Sequence, residues 1–96
     1  MTPARPGPAQ AAIAFTLYGR SWCHLCDDML AALRAFETPA RPFAITVLDV
    51  DADPALLARF DELVPVLYGD PAAPELCHYF LDRDAVRRYL DAHAAP

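Results

Sequence analysis

Ile13-Ala14-Phe15-Thr16-Leu17-Tyr18-Gly19-Arg20-Ser21-Trp22-Cys23-His24-Leu25-Cys26 is the stretch that decides the fold of this chain of 96 residues. Its opening alternates Ile13, Phe15 and Leu17 with Ala14, Thr16 and Tyr18, the period of a strand. From Cys23 the period changes. Leu25, Met29, Ala32, Leu33 and Phe36 share one helical face, with Arg34 and Glu37 off it. Gly19 to Trp22 is then the connecting loop. Both thiols are placed on the first turn of a helix that follows a buried strand. There the free N–H groups and the positive end of the helix dipole favour a thiolate.

Working outward, the helix is predicted to end at Thr38-Pro39, because a residue before proline is pushed out of the helical region. Phe43 to Val50 is apolar and β-branched enough for a second strand. Asp49-Val50-Asp51-Ala52-Asp53 reads as a charged strand-to-helix loop; it lacks the Gly and terminal Glu of an EF-hand loop, which argues against calcium. Asp53-Pro54 has the form of a helix start, Asp as N-cap and Pro at the first helical position, and Leu56, Leu57 and Phe60 give that short helix one apolar side. Val64 to Tyr68 is a third strand, Gly69-Asp70-Pro71 a turn, and Glu75 to Leu81 a fourth strand paired to the third as a hairpin. Asp82 caps a last helix whose buried face is Val86, Tyr89, Leu90 and His93.

The order is βαβ, a short helix, then ββα. Strands joined through a helix run parallel, and a closing hairpin is antiparallel. The expected architecture is an α/β domain: a mixed four-stranded sheet with helices on both faces, over residues 12–94. Residues 1–11, with Pro3, Pro6 and Pro8 and no periodicity, are expected to form a disordered tail.

Composition narrows the function classes. The net charge of −5 argues against a nucleic-acid or anionic-membrane surface. All basic residues are arginine, so any cation acting on a thiolate or a ligand is Arg or a protonated His. Three cysteines leave one unpaired and do not make a disulfide scaffold. Residues 1–10 lack the apolar core of a secretory signal, and no apolar run approaches the ~20 residues that span a bilayer. A cytoplasmic protein is expected, where a CxxC pair is redox-catalytic or metal-binding rather than structural.

With strand, CxxC helix and Val64-Pro65 placed, the chain resembles the glutaredoxin-like members of the thioredoxin superfamily from about Ile13 to the last helix. Tyr18-Gly19-Arg20-Ser21-Trp22-Cys23-His24-Leu25-Cys26 is similar to the glutaredoxin pattern of a tyrosine, a basic residue, two spacers and CxxC. Val64-Pro65 resembles the superfamily's cis-proline element. The chain departs from many glutaredoxins in carrying His24-Leu25 between the cysteines. It also has Phe80-Leu81-Asp82-Arg83-Asp84 where they have Gly-Gly and an acidic residue that holds glutathione, leaving Asp82 or Asp84 for the acidic part. In both respects it looks closer to short bacterial glutaredoxin-like proteins.

The resemblance implies a thiol–disulfide oxidoreductase. Exchange requires a thiolate that attacks a disulfide sulfur and a second thiol that releases the mixed intermediate. Cys23, at the helix tip, is the expected nucleophile, and Cys26, one turn inward, the resolving thiol. Asp27 and Asp28 oppose the Cys23 thiolate by like charge, while Arg20 favours it and His24 tunes it. Pro65 would turn the Val64 backbone outward to take an extended ligand. Arg20 would then meet a ligand carboxylate, and Trp22 and Tyr18 would wall the nucleophile. No bound cofactor or metal is expected, and a monomer is. The expected partners are a disulfide-containing protein or a glutathione mixed disulfide, with glutathione or a reductase as electron donor. The competing readings are a zinc or iron–sulfur module and a redox-silent interaction domain. Cys77 and His78 are the nearby completion of a zinc site, but successive strand residues point to opposite faces. Cys77 itself reads as a small core residue.

Overall fold

The computed structural model describes residues 12–93, so the tail expected over residues 1–11 lies outside the described residues. The elements are β1 (Ile13–Gly19), α1 (His24–Arg34), β2 (Phe43–Asp49), a single 3-10 turn (Val50–Ala52), α2 (Pro54–Phe60), β3 (Val66–Tyr68), β4 (Cys77–His78) and α3 (Arg83–Ala92). They form one mixed sheet in the order β2-β1-β3-β4. β1 runs parallel to β2 in a register from Ile13↔Phe43 to Gly19↔Asp49. It runs antiparallel to β3 through Tyr18↔Val66, and β3 is antiparallel to β4 through Val66↔His78. The expected fold is the observed one.

The alternation along β1 creates two cores. Ile13, Phe15 and Leu17 enter a cluster with Met29 and Leu33 of α1, Phe43 of β2, and Val86 and Leu90 of α3. Burying each of these large side chains is worth about 1.5–3 kcal/mol. On the opposite face Val50, Phe60 and Val66 form a smaller cluster with Tyr18, Leu56 and Leu57 around them. Helices thus cover both faces, α1 and α3 one, α2 the other. β2 is the outer strand, and Val47 and Leu48 on it are exposed, Val47 at 55%. Tyr89 bolts α3 to the sheet: its hydroxyl donates to the Ala14 carbonyl at 2.8 Å, and its ring fills the place where a side chain on Gly69 would stand.

Several element ends differ from expectation, each for a local reason. α1 stops at Arg34 rather than at Thr38-Pro39. The Phe36 and Glu37 amides bond back three residues, to Leu33 and Arg34, which tightens the chain and turns Phe36 onto the core. β3 starts at Val66, not Val64, and β4 is only Cys77–His78 rather than Glu75–Leu81. Tyr79 takes a left-handed backbone (φ 62°) and the Phe80 amide bonds to the His78 carbonyl at 2.7 Å, which ends the pairing. The Asp49–Asp53 run contains a 3-10 turn instead of a plain loop, because Asp49 accepts from the Asp51 amide at 2.9 Å and Val50 is buried. His93 is exposed at the end of α3, not on its buried face. Asp53 and Asp82 cap α2 and α3, with Pro54 opening α2.

Two tests follow from these contacts. Asp82 accepts from the Ala85 amide at 3.0 Å, so Asp82→Ala should cost about 1 kcal/mol in denaturant unfolding. Glu37 accepts from the Phe43 amide at 2.7 Å, and that bond holds its carboxyl below the ordinary value of 4.5. A depressed carboxylate contributes stability that is full above the ordinary value and is lost as the pH falls through its lower folded value. Melting temperatures of Glu37→Gln should therefore lie below wild type at neutral pH and converge on it in acid.

Candidate functional site

One end of the sheet builds the site. The strand registers align Asp49 of β2 with Gly19 of β1. The antiparallel β1–β3 pairing ends at Tyr18↔Val66, so Gly19 and Pro65 are the next residues at that same end of the sheet. The Tyr79 amide then donates to the Pro65 carbonyl at 2.9 Å. Asp49, Gly19, Pro65 and Tyr79 thus form a row across the sheet's end, and α1 rises from it.

The chain leaves Gly19, turns through a left-handed Trp22 (φ 61°), and enters α1 with Cys23 as the N-cap. The Cys23 sulfur accepts from the Cys26 amide at 3.2 Å, the place usually taken by a Ser or Asp oxygen. The Cys23 carbonyl accepts from Asp27 in the same turn. Cα atoms of the two cysteines are 5.2 Å apart and their sulfurs lie at disulfide distance. Cys23 is half-buried, whereas Cys26 is buried against β1. Gly19 allows that approach, since a Cβ there would come within 3.1 Å of the Cys26 sulfur. A pair in this geometry fits a redox role.

Arg20 is held differently from expectation. Its guanidinium lies 3.1 Å from Asp51 and 2.8 Å from Asp61, and it also donates to the Asp61 carbonyl. The hydrogen bond with Asp61, foremost, raises its pKa further. The charge is thus answered within the protein, and Arg20 ties the loop after β1 to the 3-10 turn and to the end of α2. Its Nε is buried with no partner among the described residues. Tyr18 does not wall the nucleophile either: its ring packs 4.5 Å from Phe60 in the smaller core. Trp22 is 98% exposed, and His24 is exposed at the start of α1.

The Val64–Pro65 peptide bond is cis, with Pro65 buried and Val64 half-buried. Among the described residues neither the amide nor the carbonyl of Val64 has a hydrogen-bond partner. Cys77 sits in the main core as a free thiol, its pKa pushed up by burial, while His78 is exposed. Among the described residues no group of three or more His, Cys, Asp or Glu side chains is placed to hold a metal ion. No helix among them is long and apolar enough to cross a membrane.

Two recesses border α1. One, of about 220 Å³, lies between Cys26, Leu17, Leu30 and the exposed Val47 of β2. The other, of about 140 Å³, lies between Leu25, Asp28, Met29 and the Tyr79-Phe80-Leu81 segment. Phe80 is 70% exposed, and the Tyr79 hydroxyl donates to the Glu62 carbonyl at 2.6 Å. Sequence reasoning missed Tyr79 and Phe80 as site residues. Three apolar residues in a row were read as the end of a strand, although alternation would leave one side of that strand wet.

The model of the "Glutaredoxin-like domain (DUF836)" family matches residues 14–91. Among solved structures, the chain is similar to protein Ne2328 from Nitrosomonas europaea, at 37% identity and a TM-score of 0.68, covering 79% of this chain and 88% of that one. It is also similar to target protein XcR50 from X. campestris, at 38% identity. The crystal structure of that protein gives a TM-score of 0.60 with 85% and 99% of the two chains covered. Its solution structure gives 0.57 with 86% and 96%. No curated protein matches significantly.

The Gly19–Cys26 contact is open to a direct test. In the reduced protein Gly19→Ala should lose about 1–3 kcal/mol to crowding, measured by denaturant unfolding. The loss should shrink when Cys26→Ala removes the sulfur.

Proposed function

The chain belongs to the glutaredoxin-like family, and from that premise we propose that it is a thiol–disulfide oxidoreductase cycling Cys23 and Cys26 between dithiol and disulfide. The observation that carries the reading is the capping bond, in which the Cys23 sulfur accepts from the Cys26 amide at the start of α1. An anionic sulfur accepts such a bond better than a neutral one, and the helix dipole adds in the same sense. Asp27 and Asp28 work against it from the first turn.

The exchange balances as follows. The Cys23 thiolate attacks one sulfur of a substrate disulfide, forming a mixed disulfide and expelling the other sulfur as a thiolate. The Cys26 thiol gives up its proton and attacks the Cys23 sulfur, closing the Cys23–Cys26 disulfide and releasing the second substrate thiolate. The dithiol loses two electrons, the substrate gains them, and the two protons end on the substrate thiols. Glutathione or a thioredoxin-reductase-type flavoenzyme returns the electrons. No bound cofactor is required, and both sulfurs come from one turn of one chain, so a monomer suffices. The reducing cytoplasm is the compartment in which the dithiol form persists.

An extended substrate segment has a place to bind. The unpartnered amide and carbonyl of Val64 lie at the end of β3, next to Pro65 and Gly19 in the row that underlies α1. A peptide laid there gains two main-chain hydrogen bonds beside the nucleophile.

The test is trapping. Cys26→Ser should accumulate a covalent mixed disulfide through Cys23, seen by mass spectrometry and released by reductant. Cys23→Ser should form none and reduce insulin no faster than the uncatalysed reaction. Full disulfide reduction by Cys23→Ser overturns the reading.

A further inference from the structure

Resting on that reading of Cys23 and Cys26, we propose that the disulfide this site reduces belongs to a protein segment with apolar and basic side chains beside its cysteine, rather than to glutathione. Charge is the first argument. Arg20, the cation in the loop before Cys23, is neutralised by Asp51 and Asp61. Two further arginines lie over aromatic rings and keep their charge: Arg59 over Phe60 at 4.5 Å and Arg83 over Phe36 at 4.8 Å. Among the described residues, His24 is the remaining group at the helix start that can carry positive charge. Next to it on α1, three and four residues on, stand the exposed carboxylates of Asp27 and Asp28. Each half of oxidised glutathione brings two carboxylates and one ammonium, so it meets this rim with like charge. A segment bearing Arg or Lys meets it with opposite charge.

Shape is the second argument. The recess between Leu25, Asp28, Met29 and Phe80 is apolar on three sides with a carboxylate at its edge. Leu25 lies between the two cysteines, and Phe80 follows Tyr79, whose backbone is bonded to Pro65. The recess is thus lined by a residue two positions after the nucleophile and by the segment bonded to the strand end. Phe80 is 70% and Leu25 38% exposed, an uncovered apolar surface flanking reactive sulfur. Glutathione has no large apolar side chain to cover it. A protein segment with Leu, Met or Phe next to its cysteine does, and its main chain reaches Val64 at the same time. One occupant thus satisfies the recess, the rim and the unpartnered backbone.

The experiment measures oxidation of the reduced wild-type protein by four probes. These are bis(2-hydroxyethyl) disulfide, oxidised glutathione, and the symmetrical disulfides of end-blocked Phe-Cys-Arg and Phe-Cys-Glu peptides. The Arg peptide should react at least about tenfold faster than glutathione and than the Glu peptide. High salt should shrink the gap between the two peptides, because the rim charges are exposed. Phe80→Ser should cut the advantage of the Arg peptide over hydroxyethyl disulfide several-fold, and Asp28→Asn should narrow the gap between Arg and Glu peptides. Glutathione reacting as fast as the Arg peptide, while hydroxyethyl disulfide also reacts, overturns this inference and leaves the oxidoreductase reading standing. Failure of all four probes overturns both.

Discussion

A single hydrogen bond organises this molecule: the amide of Cys26 donated to the sulfur of Cys23. A helix must satisfy its first amides, and most chains spend an oxygen on that duty. Here a sulfur performs it. The capping position fixes Cys23, half-buried as a residue, at the helix tip. One turn on, the same geometry sets the second sulfur against Gly19, where a Cβ would be crowded at 3.1 Å. Helix start, sulfur spacing and the difference in exposure are therefore one structural event.

The sheet turns that local event into a site. Because β1 is central and its register with β2 and β3 is set by alternating apolar residues, its end is held from both sides. The parallel pairing with β2 sends α1 over the main core, and the antiparallel pairing with β3, ending at Tyr18↔Val66, leaves Pro65 at the same end of the sheet as Gly19. Arg20 then closes the remaining side by joining three segments through two carboxylates. It braces the loop with the very charge that a ligand would have needed.

Much of this was legible in the residues themselves. The change of period at Cys23, the Asp53-Pro54 and Asp82 caps, and the alternation from Ile13 to Leu17 express local preferences that the tertiary structure does not oppose. The family resemblance added Val64-Pro65 to that picture. What could not be read depended on contacts distant in sequence. Arg20 meets Asp61 across 41 residues, and nothing in either neighbourhood announces the pairing. Tyr18 was assigned to the nucleophile by its place in a motif, yet the pleat of β1 turns it toward Phe60. β4 ended early because Tyr79 took a left-handed backbone, a state that a tyrosine seldom signals. Thus the sulfur chemistry was visible in one dimension, whereas the character of the surface beside it emerged only in three.

The outer strand carries a consequence for how this domain tolerates neighbours. Among the described residues no strand lies on one flank of the β2 main chain, and Val47 and Leu48 are exposed along it. It carries neither proline nor lysine within Phe43–Asp49, the usual guards of such a flank. Material fused or tethered there can lengthen the sheet sideways while Cys23 stays half-exposed. At the opposite border the last strand spans only Cys77–His78, too little to template an added chain, and the exposed Phe80 follows two residues after it. The fold thus has a permissive margin and a guarded one, and a graft for engineering belongs on the first.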